Sequence, residues 1–282
     1  MPPPSQLTRT IEHGMGATQV PETPQRIVTL DFATTESLLA INILPVGTPN
    51  SPYPYLQERL QDVEHIGSFE PNLERVLALQ PDLILGITYW QDIYAQASKI
   101  APTLLFPLET SANWKQILLS VGEVVNRSEA VEQVMRQYEA RLEEFKSKMG
   151  ADSLEVSVVR VYPDRVELYQ KNIFAGTILA DAGLSRPPSQ QGNQPVQRIS
   201  KEQLQKADGD VIFLWTHGNN FRDQDDARSA IAQLEADPLW SRLEAVQQGK
   251  VYQVNGNYWI GTGPIAANLV IDDLFKYLIE TP

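Results

Sequence analysis

The sequence predicts an α/β protein with two Rossmann-like lobes that are joined by one long α-helix. Short β-rich apolar runs alternate with helical segments on both sides of the middle of the chain, as in parallel sheets covered by helices. The middle itself, residues 128–148, contains neither Gly nor Pro and has helical periodicity. We therefore expect an N-terminal lobe at residues 1–125, a linking helix at 126–150 and a C-terminal lobe at 151–282.

The N-terminal lobe opens with an alternation of strand and helix. Residues 26–30 form a β-rich run, residues 34–40 are predicted to be helical, and residues 44–47 return as a second strand. Thr34 or Thr35 is the predicted cap of this helix, because a short hydroxyl side chain can accept a hydrogen bond from the first turn. The same alternation continues with a helix at 72–79 and a buried strand at 82–86.

The linking helix is predicted from a single apolar face. Glu, Arg and Lys occupy the opposite face of the helix. The apolar residues are spaced by three and four along the chain: Val131, Val134, Met135, Tyr138, Leu142 and Phe145. Gly150 is a suitable stop. The strand–helix pattern then resumes with a strand at 154–162, a helix at 173–183 and a last helix at 265–279.

A short pattern occurs once in each predicted lobe. Glu74 stands eight residues before Asp82, and Glu202 stands eight residues before Asp210. In both places the Glu lies near a helix start, and the Asp leads into an apolar strand. The pattern favours two lobes of related construction. Because ligands of open α/β sheets bind at the carboxyl ends of the strands, we expect a ligand cleft between the lobes.

Composition excludes several classes of protein. The 282 residues carry a formal net charge of −12 and include no Cys, so disulfides, zinc–thiolate sites and thiol nucleophiles are excluded. The acidic balance argues against nucleic acid as a partner. No run approaches the length of a membrane span, and residues 1–16 lack a signal-peptide pattern. A cytoplasmic protein and a mature exported protein both fit these observations.

Motifs for catalysis or metal binding are weak. Residues 261–266 match the pattern G-x-G-x-x-A, but too few residues follow to complete a dinucleotide-binding unit, so a glycine turn before the last helix is favoured. His13, His65 and His217 have no helical spacing, so we expect no metal site in the protein itself. No nucleophile elbow or P-loop is present.

Aromatic and arginine side chains are the better candidates for a binding site. Several of them follow predicted strands or stand in Gly/Asn-rich loops, where rings line binding surfaces more often than cores: Tyr53, Tyr55, Tyr89, Trp90, Trp215, His217, Tyr258 and Trp259. Arg160 stands in an otherwise apolar strand and needs a carboxylate or an anionic ligand as partner. Arg198 and Arg222, which we expect in loops, are further candidates for contact with an anion.

Taken together, the sequence resembles the substrate-binding proteins of ABC importers for iron–siderophore complexes and cobalamin. The similarity spans nearly the whole chain and rests on five segments, with Phe-Ala-Gly and Gly-Thr-Gly-Pro-Ile-Ala pointing to the ferric-citrate and ferric-siderophore branch. The segments are 24–30, 67–86, the long central helix, 174–187 and 259–266.

The resemblance implies capture of a ferric chelate, not catalysis, and no resident cofactor or metal. A ferric-siderophore or ferric-citrate complex would be contacted by the aromatic and arginine residues named above and handed to an ABC permease. One Glu on each lobe, by motif Glu74 and Glu202, would dock onto permease arginines. The resemblance further implies a monomer in the periplasm or cell envelope, with or without a lipid anchor. Cobalamin and haem remain alternative ligands, and an α/β enzyme acting on a small molecule is the alternative from another class.

Overall fold

The computed structural model describes residues 7–51, 53–68, 70–150, 153–216 and 224–280, and for residues 224–227 it describes the backbone only. The chain divides into two compact units. Unit 1 comprises residues 1–109, 113–138 and 262–265; unit 2 comprises residues 110–112, 139–261 and 266–282. Two short segments, 110–112 and 262–265, thus belong to the unit opposite to the one that their position in the sequence predicts.

Unit 1 contains a hairpin followed by a five-stranded parallel sheet. The hairpin, which the sequence analysis missed, pairs β1 (Thr8–His13) with β2 (Gly16–Pro21). The sheet has the order β5-β4-β3-β6-β7. Its strands are β3 (Ile27–Thr29), β4 (Gly47–Thr48), β5 (Glu64–His65), β6 (Leu83–Ile87) and β7 (Thr103–Phe106).

Helices cover both faces of this sheet. They are α1 (Phe32–Ala40), α2 (Pro54–Gln57), α3 (Leu73–Ala78), α4 (Tyr94–Ala97) and α5 (Trp114–Val124), with 3₁₀ segments at Glu58–Leu60, Thr88–Ile93 and Ser111–Asn113. Leu85 of β6 packs in one cluster with α1 and α5, while its neighbour Ile84 packs in another with α3 and α4. Burial on both faces explains why β6 reads as a continuous apolar run.

The cap of α1 differs from the prediction. Asp31, not Thr34 or Thr35, is the N-cap residue, and its carboxylate accepts a hydrogen bond from the Thr34 backbone N–H at 2.9 Å. The second carboxylate oxygen accepts from the backbone N–H of Ile87 in β6 at 2.8 Å. One side chain therefore fixes the helix start to the end of the neighbouring strand. Burial raises the pKa of Asp31 to about 6.

The long helix α6 (Ser128–Met149) begins and ends close to the predicted limits. Its residues up to Tyr138 belong to unit 1, and those from Glu139 onward belong to unit 2. Val131 and Tyr138 are buried in the first half, and Leu142 and Phe145 are buried in the second half. The predicted apolar face thus contributes to the cores of both units.

Unit 2 is built on a second five-stranded sheet with the order β10-β9-β8-β11-β12. Its strands are β8 (Val156–Val161), β9 (Val166–Tyr169), β10 (Val196–Ile199), β11 (Val211–Thr216) and β12 (Val251–Gln253). Strands β8, β11 and β12 are parallel, and only β9 runs against its neighbours β8 and β10. The reversed β9 forms a hairpin with β8, which the sequence analysis did not predict.

Helices and 3₁₀ segments complete unit 2. The helices are α7 (Phe174–Asp181), α8 (Gln224–Glu235), α9 (Glu244–Gln247), α10 (Gly256–Trp259) and α11 (Pro264–Leu278), of which the first two residues of α11 belong to unit 1. The 3₁₀ segments are Pro188–Gln190, Lys201–Ala207 and Trp240–Arg242. In the described part of the chain, no helix combines the length and the apolar character that a membrane span requires.

The two sheets share one strand order. If the strands of each sheet are numbered along the chain, both read third, second, first, fourth, fifth. The two aspartates of the repeated sequence pattern also have the same role. Asp82 accepts backbone N–H bonds from Gln25 and Arg26 in the segment before the first strand of its sheet. Asp210 accepts the N–H of Glu155 in the corresponding segment of unit 2, at 2.7 Å.

His13 connects the hairpin of unit 1 to its sheet. The Nδ1 atom accepts hydrogen bonds from the backbone N–H groups of Leu105 at 3.2 Å and Met15 at 3.4 Å. The Nε2 atom lies 2.9 Å from the hydroxyl of Thr18. These contacts require a neutral ring with the proton on Nε2, because a protonated imidazole has no acceptor. Burial lowers the pKa of His13 in the folded protein.

We therefore predict that acidification weakens the fold through His13. Because the folded pKa lies below the unfolded value of 6.5, the stabilising contribution is complete above pH 6.5 and is lost as the pH falls through the folded pKa. The free energy of unfolding should fall more steeply between pH 7 and pH 5 in the wild type than in His13→Asn. Equal pH dependence of the two proteins in urea unfolding would contradict this assignment.

Candidate ligand-binding site

The site is centred on the carboxyl ends of two adjacent strands in unit 2. Strands β8 and β11 are the first and fourth strands of their sheet, so the strand order reverses between them. Such a reversal opens a crevice that is the usual ligand position in open α/β sheets. Arg160 of β8 and Trp215 of β11 are direct register partners at this point. Both residues were candidates from the sequence.

The guanidinium of Arg160 is held inside the unit. The residue is 8% exposed, and its Nη1 atom donates a hydrogen bond to the Tyr169 hydroxyl at 2.7 Å. Its Cζ atom lies 4.7 Å from the ring centre of Tyr162, which allows a cation–π contact. Burial is the main cause that raises the pKa of Tyr169, with Arg160 acting in the opposite direction. A buried charge in an apolar strand is thus placed in one orientation.

Two further arginines lie near Arg160. Arg165 in the β8–β9 turn stacks on the Tyr162 ring at 3.6 Å. Arg198, which we expected in a loop, is part of strand β10, because β10 pairs with the unpredicted strand β9. Both arginines donate from Nε to the carboxylate of Glu167. Arg165 and Glu167 were missed because the hairpin that brings them to Arg160 was not predicted, although Pro163-Asp164 in its turn is a turn signal.

The tryptophans of the site are packed, not open. Trp215 is 2% exposed, and its ring centre lies 4.9 Å from Tyr169 and 5.7 Å from Trp259. The Nε1 atom of Trp215 is buried and has no hydrogen-bond partner among the described residues. Gly256 allows α10 to approach this ring, because an added Cβ would lie 2.7 Å from Trp215 Cδ1.

Trp259 was expected in a loop, but it ends the short helix α10 and is fully buried. Its indole N–H donates to the carboxylate of Asp273 at 2.7 Å, and its ring packs 4.7 Å from Phe213. Burial raises the pKa of Asp273. Burial also raises the pKa of Tyr258, and the charge of Asp273 raises it further. The position of Trp259 therefore serves the packing of the aromatic cluster behind Trp215.

The aromatic candidates of unit 1 follow strands β4 and β6. Tyr53 packs against Phe32 and Tyr55, with ring centres 5.2 and 5.7 Å apart. Tyr55 donates its hydroxyl to the fully buried carboxylate of Glu36 at 3.2 Å. These rings share an apolar cluster with α1 and α2, so packing accounts for much of their placement.

The pair Tyr89 and Trp90 behaves differently. The Tyr89 ring is 76% exposed and stands edge-on to Trp90, whose Nε1 is buried without a partner in the described part of the chain. An exposed ring that rests on a partly buried one is available for contact with a ligand. Two other candidates, His217 and Arg222, lie outside the described residues.

The two predicted docking residues are exposed and occupy equivalent places. Glu74 lies in the first turn of α3, which Asn72 caps, and Glu202 lies in the first turn of the 3₁₀ segment that follows β10. Each precedes the fourth strand of its own sheet. A hydrogen bond from the Ser200 hydroxyl is the main cause that lowers the pKa of Glu202.

Groups suited to a resident metal are not brought together in the described ranges, where no cluster of three His, Asp or Glu side chains could hold an ion. His13 is committed to the hairpin of unit 1, and His65 lies in edge strand β5. The site of unit 2 instead offers guanidinium N–H groups and aromatic rings. Such groups suit the outer oxygen atoms of an anionic ligand.

A two-unit α/β fold with a polar, aromatic site at the strand ends is typical of binding proteins that carry small molecules. The profile of the periplasmic binding protein family matches residues 27–258. The chain belongs to this family.

Individual relatives agree with the assignment. The chain is 35% identical to the probable siderophore-binding lipoprotein YfiY of Bacillus subtilis, over 98% of this chain and 90% of the relative. It is 26% identical to the Fe(3+) dicitrate-binding periplasmic protein FecB of Escherichia coli, over 97% of this chain and 91% of FecB. The crystal structure of Staphylococcus aureus SirA complexed with staphyloferrin B superimposes with a TM-score of 0.86 at 27% identity, covering 96% of this chain and 98% of SirA.

The hydrogen bond between Arg160 and Tyr169 gives a prediction on stability. Tyr169→Phe should lower the free energy of unfolding by about 1.5–3 kcal/mol, because it removes the neutral partner of a buried charged donor. Tyr252→Phe, in β12 of the same unit, is the matched control: its hydroxyl forms no hydrogen bond with any described residue, so its loss should be nearly neutral. Equal effects of the two substitutions in urea unfolding would show that the Arg160 contact contributes nothing.

Proposed function

We propose that this protein captures a ferric-siderophore or ferric-citrate complex and delivers it to an ABC permease for iron uptake. Family membership, and the siderophore binding and Fe(3+) dicitrate binding for which YfiY and FecB are named, support a ferric chelate as ligand. The observation that carries the proposal is Arg160, a buried and oriented guanidinium at the strand reversal of unit 2. A ferric chelate with outward carboxylate oxygens is a matching partner.

Recognition would take place at the outside of the chelate. Iron enters as cargo that is already coordinated by chelator oxygens, so the protein needs no ligand side chains of its own. The residues that we propose to contact the chelate are Arg160, Arg198 and Trp215 in unit 2, and Tyr53, Tyr89 and Trp90 in unit 1, together with His217 and Arg222. Trp259, which is fully buried, would support Trp215 from behind and not touch the chelate. Among the described members, Arg198 and Tyr89 have the most exposed side chains.

Delivery would use the two exposed glutamates. Glu74 and Glu202 lie at equivalent places of the two units, and a carboxylate there can form charge-assisted hydrogen bonds with arginines of a permease. The protein would act as a monomer and without catalysis. Its place of action would be the periplasm or cell envelope, as the names of the relatives YfiY and FecB indicate for those proteins.

A titration tests the ligand class directly. Tryptophan fluorescence should be quenched by ferric citrate or by a ferric hydroxamate or catecholate, and not by the corresponding iron-free chelators. Haem and cobalamin complete the panel. Quenching by haem or cobalamin alone would contradict the proposed iron-chelate function.

Replacement of Arg160 tests whether its buried guanidinium binds the chelate. Arg160→Ala and the bulkier Arg160→Met should each weaken the binding of ferric citrate by at least about tenfold, because bidentate charge-assisted hydrogen bonds are lost. Arg136→Ala, on the exposed surface of α6, is the control and should bind like the wild type. Wild-type affinity of both Arg160 variants, with cooperative unfolding retained, would refute the role of Arg160.

A second pair of variants tests docking. Glu74→Ala combined with Glu202→Ala should abolish ferric chelate uptake in cells and leave chelate affinity unchanged in vitro. Glu129→Ala combined with Glu139→Ala removes the same charge from exposed positions of α6, with one substitution in each unit, and should leave uptake intact. Normal uptake by the first double variant would rule out the docking role.

A further inference from the structure

A buried carboxylate lies beside Arg160 in unit 2. Glu167 of β9 is 5% exposed, and its Oε1 atom accepts from Arg165 Nε at 2.8 Å and from Arg198 Nε at 3.2 Å. The strand register pairs Arg198 with Glu167, Glu167 with Arg160, and Arg160 with Trp215. Because register partners project to the same face of a sheet, these four side chains form one row across β10, β9, β8 and β11.

The pairing at Glu167 restricts the two arginines. A buried carboxylate is costly unless it is paired, so the folded protein favours conformers in which Arg165 and Arg198 reach Oε1. An ion pair between two mobile surface side chains has little orienting effect. Here one partner is fixed in a strand, and the 74% exposed Arg198 is therefore held at a defined place although its side chain lies in solvent.

The mode of pairing leaves one edge of Arg198 available. Arg198 uses only Nε towards Glu167, and no described residue accepts a hydrogen bond from its Nη1 or Nη2 atoms. Those two atoms form an edge that matches the two oxygens of a carboxylate.

Arg165, by contrast, is occupied on two sides. Its Nη1 atom donates to Asp164 at 2.9 Å, and its guanidinium covers the Tyr162 ring. Tyr162 is also the ring that faces the guanidinium of Arg160. Arg165 therefore braces Tyr162, whereas Arg198 presents a free hydrogen-bonding edge.

We propose that Glu167 is a positioning residue for anion recognition, which fixes Arg198 through Nε so that its Nη edge takes one carboxylate while Arg160 takes another. Arg160 and Arg198 stand two strands apart, with their backbones about 10 Å from each other, so the two guanidiniums extend from separate positions of the sheet. The substrate class is then a ferric chelate that exposes two separate carboxylate groups. The identity of this ligand rests on the function proposed above, but the role of Glu167 in holding the guanidiniums does not.

Two substitutions test whether Glu167 acts through the side-chain oxygen that accepts the two hydrogen bonds. Glu167→Gln keeps an oxygen that accepts from both Nε–H groups, and Glu167→Ala removes it. The first measurement is NMR of the arginine Nε–H signals in the ligand-free protein. We expect the assigned Nε–H signals of Arg165 and Arg198 to be protected from exchange in the wild type and in Glu167→Gln, and to lose that protection in Glu167→Ala, while the Nε–H signal of Arg26 stays protected in all three proteins. Protection of the Arg165 and Arg198 signals that persists in Glu167→Ala would overturn the positioning role.

The second measurement is the affinity for ferric citrate by fluorescence quenching. Glu167→Ala should bind at least about tenfold more weakly than the wild type, and Glu167→Gln should stay within about threefold. Arg136→Ala is again the control. Wild-type affinity of Glu167→Ala, or equal loss in both variants, would overturn the proposal while the iron-chelate function stands. If the wild type binds no ferric chelate, the proposed function fails, and the NMR measurement still decides whether Glu167 positions the arginines.

Discussion

The buried guanidinium of Arg160 is the constraint on which the described site depends. A charge at this depth requires a hydrogen-bond partner, and the Tyr169 hydroxyl on the neighbouring strand supplies one. Tyr169 in turn packs on Trp215, and Trp215 packs on Trp259. Tyr169 thus orients both the Arg160 guanidinium and the aromatic cluster, beside the point where the strand order of unit 2 reverses.

The repeated strand order explains why two units with different sequences carry an aspartate and a glutamate at matching places. In each sheet an aspartate at the start of the fourth strand accepts backbone N–H groups from the segment before the first strand, and an exposed glutamate stands eight residues earlier. In unit 1, Asp31 lies where the strand order reverses, and its carboxylate joins the start of α1 to the end of β6 through two hydrogen bonds. In unit 2 the same region holds Arg160 and Trp215, so the arginines proposed to bind an anion are concentrated in one unit.

Sequence patterns predicted the parts of the fold that repeat a strong periodicity. The limits of α6 and the strands around Asp82 and Asp210 follow from apolar spacing and from local breakers such as Pro81. The hairpins β1–β2 and β8–β9 were missed although their turns contain Gly14 and Pro163-Asp164, because neither turn carries the Asn-Gly or Gly-Gly pair that marks a hairpin most strongly. Arg160 was recognisable as a charge in an apolar strand, but Glu167 and Arg165 were not, since their roles come from pairing across the hairpin.

The most direct test of the central claim is a crystal structure of the protein grown with ferric citrate, with iron located by its anomalous signal. We expect iron near the carboxyl ends of β8 and β11, coordinated by chelator oxygens alone, with a chelator oxygen within hydrogen-bond distance of the Arg160 guanidinium. Iron coordinated by a protein side chain, or bound away from Arg160, would rule out recognition of a ferric chelate through Arg160.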